Sequence, residues 1–412
     1  MTEQVVVVGA GVIGITTALE LQRRGHSVLV LDREGIAAGA SAGNAGAFAF
    51  TEVEPLATPG IMRKAPKWLL DPLGPLSIPP AYALKIVPWM VRFWRASRPG
   101  SYKGNLSAQV SLMQHSVDAL PRLIADVDGE PMMQRDGQMQ LYESEAEFRA
   151  SLPAWELRRQ HGIEFDLLES RDEIAEIQPG LNPRFTHAGF TPAWMNTVDP
   201  KKWVEHLAQT LISRGGRVEV RDIRALARVT GGVQITLADD TITASKVVIC
   251  AGAWSHHLAR TLGDHIPLET ERGYNTTLPD GGFDLRTHLT FPGHGFVASR
   301  INGGVRIGGA VELGGLTLPP NYKRADVLLN KAAKFLPGLN TEGGTQWMGF
   351  RPSLPDSLPV IGASPNARDV IYAFGHGHLG LTQAAGTAEL VGALIDNQPT
   401  QIALAPFSAT RF

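Results

Sequence analysis

Four consecutive valines, Val5 to Val8, form the first apolar run of the chain, and a second run, Val28 to Leu31, follows a mixed stretch carrying Leu19 and Leu21. Uninterrupted apolar runs of this length suit strands covered on both faces, so the first 32 residues predict strand, helix and strand. Gly25-His26 stands where a helix C-cap belongs, and Asp32 closes the second strand. Apolar spacing then predicts a helix around Leu106 to Val127, a strand at Met139 to Tyr142 and a helix from Glu145 to His161. Asp199-Pro200 signals a helix start, with Trp203, Val204, Leu207, Leu211 and Ile212 at helical spacing and Gly215-Gly216 at its end. Strands follow at Val218 to Val220, Leu226 to Val229, Val233 to Leu237 and Lys246 to Ala251, with turns at Gly231-Gly232 and Asp239-Asp240. From about residue 266 to 349 strand-like segments dominate, notably Gly295 to Ser299 and Val305 to Val311, and a last helix runs from Thr382 to Ile395. The stretch from Gly35 to about Arg98 carries no clear period, and the chain has no internal repeat.

Charge narrows the classes of function. Lys+Arg 38 against Asp+Glu 40 leaves a net charge of −2, without the basic field that holds nucleic acid. A single cysteine, Cys250, excludes an intramolecular disulfide framework and multi-cysteine metal sites, which suits a reducing, cytoplasmic setting. The N-terminus has no basic targeting region, and the longest uncharged stretches fall short of the roughly 18 apolar residues of a membrane span. A peripheral membrane contact stays open. Tyr82 to Arg98 mixes Leu84, Val87, Trp89, Met90, Val91, Phe93 and Trp94 with Lys85, Arg92, Arg95 and Arg98. That mixture fits either a helix that buries its aromatics, interrupted by Pro88, or a segment resting on an anionic membrane.

Gly9-x-Gly11-x-x-Gly14, between the first strand and the first helix, is a dinucleotide fingerprint: missing side chains let a pyrophosphate approach backbone N–H groups at a helix start. Asp32, at the end of the second strand, is placed to accept hydrogen bonds from a ribose. FAD and NAD share this fingerprint. A second glycine-rich loop, Gly375-His376-Gly377-His378-Leu379-Gly380-Leu381-Thr382, runs into the last helix. No histidine set has metal-ligand spacing, and neither a nucleophile elbow nor a phosphate-binding lysine motif occurs.

These loops, together with Gly349-Phe350-Arg351-Pro352 and Val248-Ile249-Cys250-Ala251-Gly252-Ala253-Trp254-Ser255, resemble the D-amino-acid oxidase superfamily of FAD enzymes. Ser41-Ala42-Gly43-Asn44-Ala45-Gly46 and the Ala65-Pro66-Lys67-Trp68 region look most like bacterial D-amino-acid dehydrogenases. The resemblance implies a mixed α/β and α+β architecture: a Rossmann-type FAD-binding domain (1–50, 199–265 and 350–412) interleaved with a β-sheet-rich substrate-binding domain (51–198 and 266–349). It implies noncovalent FAD, held by Gly9, Gly11 and Gly14 at the pyrophosphate and by Asp32 and Arg33 beside the adenosine. Ser41, Asn44, Ala45 and Gly46 would follow the pyrophosphate and ribityl chain, with Ile223 at the adenine and Ala251 and Gly252 at a strand-end turn. Gly377, His378, Leu379, Gly380 and Thr382 would meet the isoalloxazine ring.

On the substrate side the resemblance implies that Arg351 grips a carboxylate, a role suited to the bidentate guanidinium fork; the plainer reading is a salt bridge between domains. Tyr274 would line the pocket, or be a core tyrosine with its hydroxyl satisfied. His378 would narrow the pocket or bond the substrate amine, and His294 lies near a pocket position of relatives. The implied reaction passes the α-hydrogen of a D-amino acid as hydride to flavin N5, yielding a 2-oxo acid and ammonia, with a quinone or another acceptor taking the electrons. Alternatives are a secondary-amine oxidoreductase acting on hydroxy-D-proline, sarcosine or glycine, a noncatalytic flavin-binding subunit, and an NAD-dependent dehydrogenase.

Overall fold

A computed structural model describes residues 4–62, 74 and 76–412; the Ala65-Pro66-Lys67-Trp68 region lies outside them. The valine run becomes Gln4–Val8, the centre of a six-stranded sheet. The order is Arg217–Val220, Ser27–Asp32, Gln4–Val8, Lys246–Ile249, Val370–Phe374 and Val360–Ala363. All neighbours are parallel except the last pair. Alternation divides the runs between two cores. Val5, Val7, Val28, Val30 and Val248 face one layer, and Val6, Val8, Leu29, Leu31, Val247 and Ile249 face the other. Helices cover the first layer: Val12–Arg23, Pro99–Asp126, Pro200–Ser213 and Gly380–Ile395 all contribute to it. The hairpin residues become a three-stranded antiparallel sheet, Ile223–Val229, Gly232–Leu237 and Thr241–Ala244, which closes the second layer with the short helix Ser255–Thr261.

Helix Val12–Arg23 sits unusually close to its sheet. A Cβ on Gly14 would lie 1.8 Å from the Gly9 carbonyl oxygen, and Gly9, at φ +112°, leaves no room for one beside the Cys250 carbonyl. Gly11 is different: its nearest neighbour would be Ser41 Oγ at 3.3 Å, and beyond that the space is open. Two of the three fingerprint glycines therefore pack the backbone, while the third borders empty space.

The second body is a nine-stranded sheet. Its main path runs Thr345–Ser353, Glu269–Leu278, Gly304–Glu312, Phe296–Ile301, His288–Phe291, Gln138–Tyr142, His187–Thr191 and Asp166–Leu168, with Leu76–Ser77 pairing beside Gly304–Glu312. Phe185, Phe291, Phe296 and Phe335 pack together between this sheet and helix Lys323–Phe335. That helix interrupts the stretch read as strand-like, and the short Arg171–Ile177 with its Ser170/Glu173 capping box and the outer strand Asp166–Leu168 have no counterpart among the predicted elements.

The helix expected from Leu106 begins at Pro99 and runs 28 residues to Asp126. It buries Ala108, Leu112, Ala119, Leu120 and Ile124 with the valines of the parallel sheet. Gly386 makes this possible, because a Cβ there would meet Ser116 Oγ at 2.5 Å. Segment 51–198 thus supplies both bodies rather than the second alone.

Gly14→Ala is expected to lower stability by about 1–3 kcal/mol, since its methyl overlaps backbone that cannot move without lifting the helix. A fall in the urea midpoint with an unchanged slope checks this.

Candidate active site

Between the two bodies lies a cavity of about 930 Å³, near the upper end for ligand sites. It extends from the C-terminal ends of strands Gln4–Val8 and Ser27–Asp32, at Val8, Gly9 and Asp32, to the second sheet at Arg351 and His288. Helices Val12–Arg23 and Gly380–Ile395 both begin at its wall, and neither N-cap residue caps its own helix with a side chain, although Ser41 takes one N–H of the first. Uncapped helix starts direct free N–H groups and the positive end of the helix dipole toward whatever fills the space.

Most residues expected at the cofactor line this cavity: Gly9, Gly11, Asp32, Arg33, Ser41, Asn44, Ala45, Ile223, Ala251, Gly252, Gly377, His378 and Gly380. Asp32 accepts three backbone N–H bonds, from Ala10 at 2.8 Å, Glu34 at 2.8 Å and Gly35 at 2.9 Å. A carboxylate has about four acceptor sites, so about one remains for a ribose hydroxyl. The Arg33 guanidinium lies 3.8 Å from the centre of the Trp254 ring, stacking two planar groups at the same end. Ser41 Oγ accepts from Val12 N at 2.9 Å and so sits against the helix start. The loop around it is braced from within by Asn44, whose amide donates to Ser41 O and accepts from Gly46 N.

Four expected residues stand off the wall. Gly14 packs on Gly9, as described above. Gly46, at φ +72°, hydrogen-bonds through its carbonyl to Thr197 N at 2.7 Å. Leu379 turns into a small core with Ala49, Val53, Val110, Met113 and Trp194. Thr382 Oγ1 accepts from Ala49 N at 2.9 Å and is buried. The last two brace the glycine-rich loop from behind.

Arg351 projects from Thr345–Ser353 onto the cavity wall and donates from Nη1 to Ala310 O at 3.0 Å. Among the described residues it forms no ion pair, so the salt-bridge reading fails. Burial lowers its pKa, and Glu271, directly opposite in the strand register, opposes that shift. The guanidinium lies across Gly273, where a Cβ would come within 2.3 Å of Nη2. Tyr274 lines the wall, but its hydroxyl donates to Glu312 at 3.1 Å and accepts from Asn321 N at 3.0 Å. The expected donor to a carboxylate is therefore a satisfied core tyrosine. Arg272 is unavailable as a substitute anchor, being fully buried against Glu312 and the carbonyls of Gly315, Leu318 and Pro319.

His378 opens onto the cavity yet is enclosed by protein elsewhere, and that enclosure lowers its pKa against the opposing pull of Glu52 and Glu271. His294 is off the wall, paired with Glu143 at 2.6 Å and packed on Phe335. Sequence reading missed several wall residues. Glu271 and His288 lie on strands with no distinguishing motif, and Arg306 reaches across the two bodies, donating to Thr277 Oγ1 and to Asn44 O. Asn275 Nδ2 makes a parallel link to Gly43 O at 2.7 Å. Burial raises the Cys250 thiol pKa to about 12, which keeps it protonated at neutral pH. Among the described residues there is no cluster of metal-ligating side chains and no helix long and apolar enough to cross a membrane.

Two predictions follow from this geometry. Gly11→Val is expected to fold but to lose the yellow flavin absorbance, because its side chain enters open cavity rather than packed backbone. Retention of stoichiometric FAD in that variant would move the pyrophosphate elsewhere. Burial also lowers His288 and His376 to pKa values of about 3, against 6.5 for a free imidazole. The unfolded chain takes up these protons first, so stability is full above pH 6.5 and falls as the pH drops toward 3, by up to ~1.4 kcal/mol per pH unit for each histidine. Urea midpoints measured across that range should be flatter for His288→Gln than for the wild type.

The family description "FAD dependent oxidoreductase", abbreviated DAO, matches residues 4–394. A D-amino-acid oxidase from Bradyrhizobium diazoefficiens is 34% identical over 99% of this chain and 98% of its own length. A D-amino acid dehydrogenase from Rhizobium rhizogenes is 29% identical over 99% and 100%. Among solved structures, glycine oxidase from Geobacillus kaustophilus superposes with a TM-score of 0.78 at 22% identity, each chain fully covered. Matched from end to end, with an open glycine turn at one end of the cavity and a glycine-rich helix start on its wall, the chain belongs to the DAO family of FAD-dependent oxidoreductases.

Proposed function

We propose that the protein oxidises the α-carbon–nitrogen bond of a D-amino acid, giving an imino acid that water hydrolyses to a 2-oxo acid and ammonia. The observation that carries this reading is Arg351, a cation on the cavity wall with one carbonyl contact and no carboxylate partner among the described residues. A guanidinium in that state attracts a carboxylate strongly, and its fork fixes the orientation of the bound group. Glu271, opposite Arg351 in register, gives the same wall a negative charge. One fixed cation beside one fixed anion matches the two ends of an amino-acid zwitterion. The names of the relatives support the D enantiomer.

FAD, when bound, supplies the acceptor for a hydride leaving the α-carbon. The side chains have the remaining tasks. Arg351 holds the carboxylate, and Gly273 leaves the guanidinium flat on the sheet. His378, biased toward its neutral form, offers a ring nitrogen that can accept a proton from the substrate ammonium, freeing the lone pair that assists hydride departure. Among electron acceptors a quinone is our preferred reading. Oxygen is the second reading, favoured by the oxidase name of the 34% identical relative.

An anaerobic panel tests the assignment: D-amino acids should bleach the flavin, while L enantiomers, glycine, sarcosine and hydroxy-D-proline should do so slowly or not at all. Preference for the secondary amines or glycine would replace the substrate class, and no bleaching by any amine would make this a noncatalytic flavoprotein. Hydrogen peroxide released at the rate of dye reduction would establish the oxidase reading. Arg351→Lys should retain FAD yet lose roughly one to three decades of kcat/KM, because an ammonium cannot reproduce the fork. Gly273→Ala should show a milder loss of the same kind, with FAD content unchanged, by pushing the guanidinium off its seat. Wild-type kinetics in both variants would move the carboxylate anchor away from Arg351.

A further inference from the structure

Helix Ala83–Ala96 has two apolar faces, and only one is used. Ile86 and Trp89 are buried and pack with Leu313, while Met90 and Phe93 add to the same cluster beside Val311 and Ile78. The opposite face is apolar and bare: Leu84 is 88% exposed, Val87 49%, Val91 40% and Trp94 45%. These four follow at spacings of three, four and three, which places them in one stripe along the helix. Few large apolar side chains elsewhere in the described residues are exposed, and those are scattered. A stripe of this kind marks a contact surface rather than ordinary surface apolarity.

Charge identifies the partner. Lys85, Arg92, Arg95 and Arg98 stand beside the stripe, all exposed, and the helix carries no acidic residue. Among the described residues none of the four forms an ion pair. Arg98 instead lies 4.3 Å from the centre of the Trp94 ring, keeping a cation at the aromatic end of the stripe. An aliphatic and aromatic stripe flanked by unneutralised cations suits a surface that is anionic at the level of the cations and apolar just below it. A second copy of the chain fits poorly. A two-fold contact would set this patch against itself and bring the two sets of cations together.

We propose that this outward face docks the protein on an anionic lipid bilayer, lying in the headgroup region without spanning it. The position of the helix gives the contact a use. Phe93, on its inner side, borders a crevice of about 20 Å³ whose other walls include Leu56, Glu271 and His378. The last three also line the large cavity. Docking would therefore hold the cavity next to the membrane, where a lipid-soluble electron acceptor resides. The docking face itself stands on exposure and charge, independently of the substrate assignment.

Vesicle sedimentation of the FAD-loaded enzyme tests the proposal. The wild type should pellet with vesicles containing phosphatidylglycerol, much less with pure phosphatidylcholine, and less as salt rises. Arg92→Gln with Arg95→Gln should weaken partition roughly 30-fold. Leu84→Ser with Trp94→Ser should weaken it roughly tenfold or more. Every replaced side chain is exposed, so flavin content and dye reduction in solution should stay at wild-type values, separating loss of docking from loss of folding or of activity. A wild type that remains in the supernatant with anionic vesicles would overturn the proposal, as would variants that pellet like the wild type. Sedimentation equilibrium supplies the other decisive outcome: self-association that disappears in the Leu84→Ser, Trp94→Ser variant would assign the face to a second copy instead.

Discussion

The approach of two backbones, Gly14 onto Gly9, sets where everything else in the cavity stands. A helix normally rides on a sheet at a distance set by interlocking side chains, but here the first turn of Val12–Arg23 rests on the strand-end carbonyl itself. That contact brings the helix N-terminus down to the level of Asp32, so the carboxylate can take the Ala10 N–H while Ser41 takes that of Val12. The free N–H groups then open onto the cavity rather than into bulk water. Neighbouring strands inherit the same alignment, which is why Ala251 and Gly252, after Lys246–Ile249, reach the wall beside the first turn.

The two bodies divide the chemistry by type. The parallel-sheet body offers mainly backbone: uncapped helix starts and glycine turns, which suit an extended, anionic cofactor. The second sheet offers fixed side-chain charge, with Arg351 and Glu271 opposite each other on neighbouring strands. A strand register holds such a pair more firmly than a loop would, since moving either residue to the other face requires a one-residue slip of the whole strand. The glycine-rich loop at Gly375–Gly380 joins the two systems. Gly377 N donates to Pro352 O next to Arg351, and the helix beyond begins at the cavity.

Local signals in the sequence marked much of this plan. The first strand, helix and strand, the hairpin of Leu226–Val229 with Val233–Leu237 and the last helix are each defined by short-range periodicity and turn residues, and they stand where those signals put them, whereas the third strand of that sheet, Thr241–Ala244, carries no such signal. Site residues clustered on short motifs were legible for the same reason. What escaped depends on contacts between distant segments. Nothing local distinguishes Gly11, which faces open space, from Gly14, which does not. Leu379 and Thr382 belong to the right loop, yet helical geometry turns them to its back. Glu271 and His288 gain their meaning from strand partners elsewhere in the chain. Helix Pro99–Asp126 joins the parallel-sheet core because Gly386 leaves room for it, a fit made between residues 270 positions apart.

The links from Asn275 to Gly43 and from Arg306 to Asn44 tie the cofactor-side loop to the second sheet. A ligand that binds only the folded chain stabilises it by RT ln(1 + [L]/Kd), about 4 kcal/mol at a thousandfold excess over Kd. Here that free energy does not remain in the body that carries the glycine turn. The Asn275 and Arg306 side chains connect that body to the sheet that holds Arg351, so binding at the loop stabilises both. A chain without its flavin therefore lacks that stabilisation at the substrate-side sheet as well as at the glycine turn.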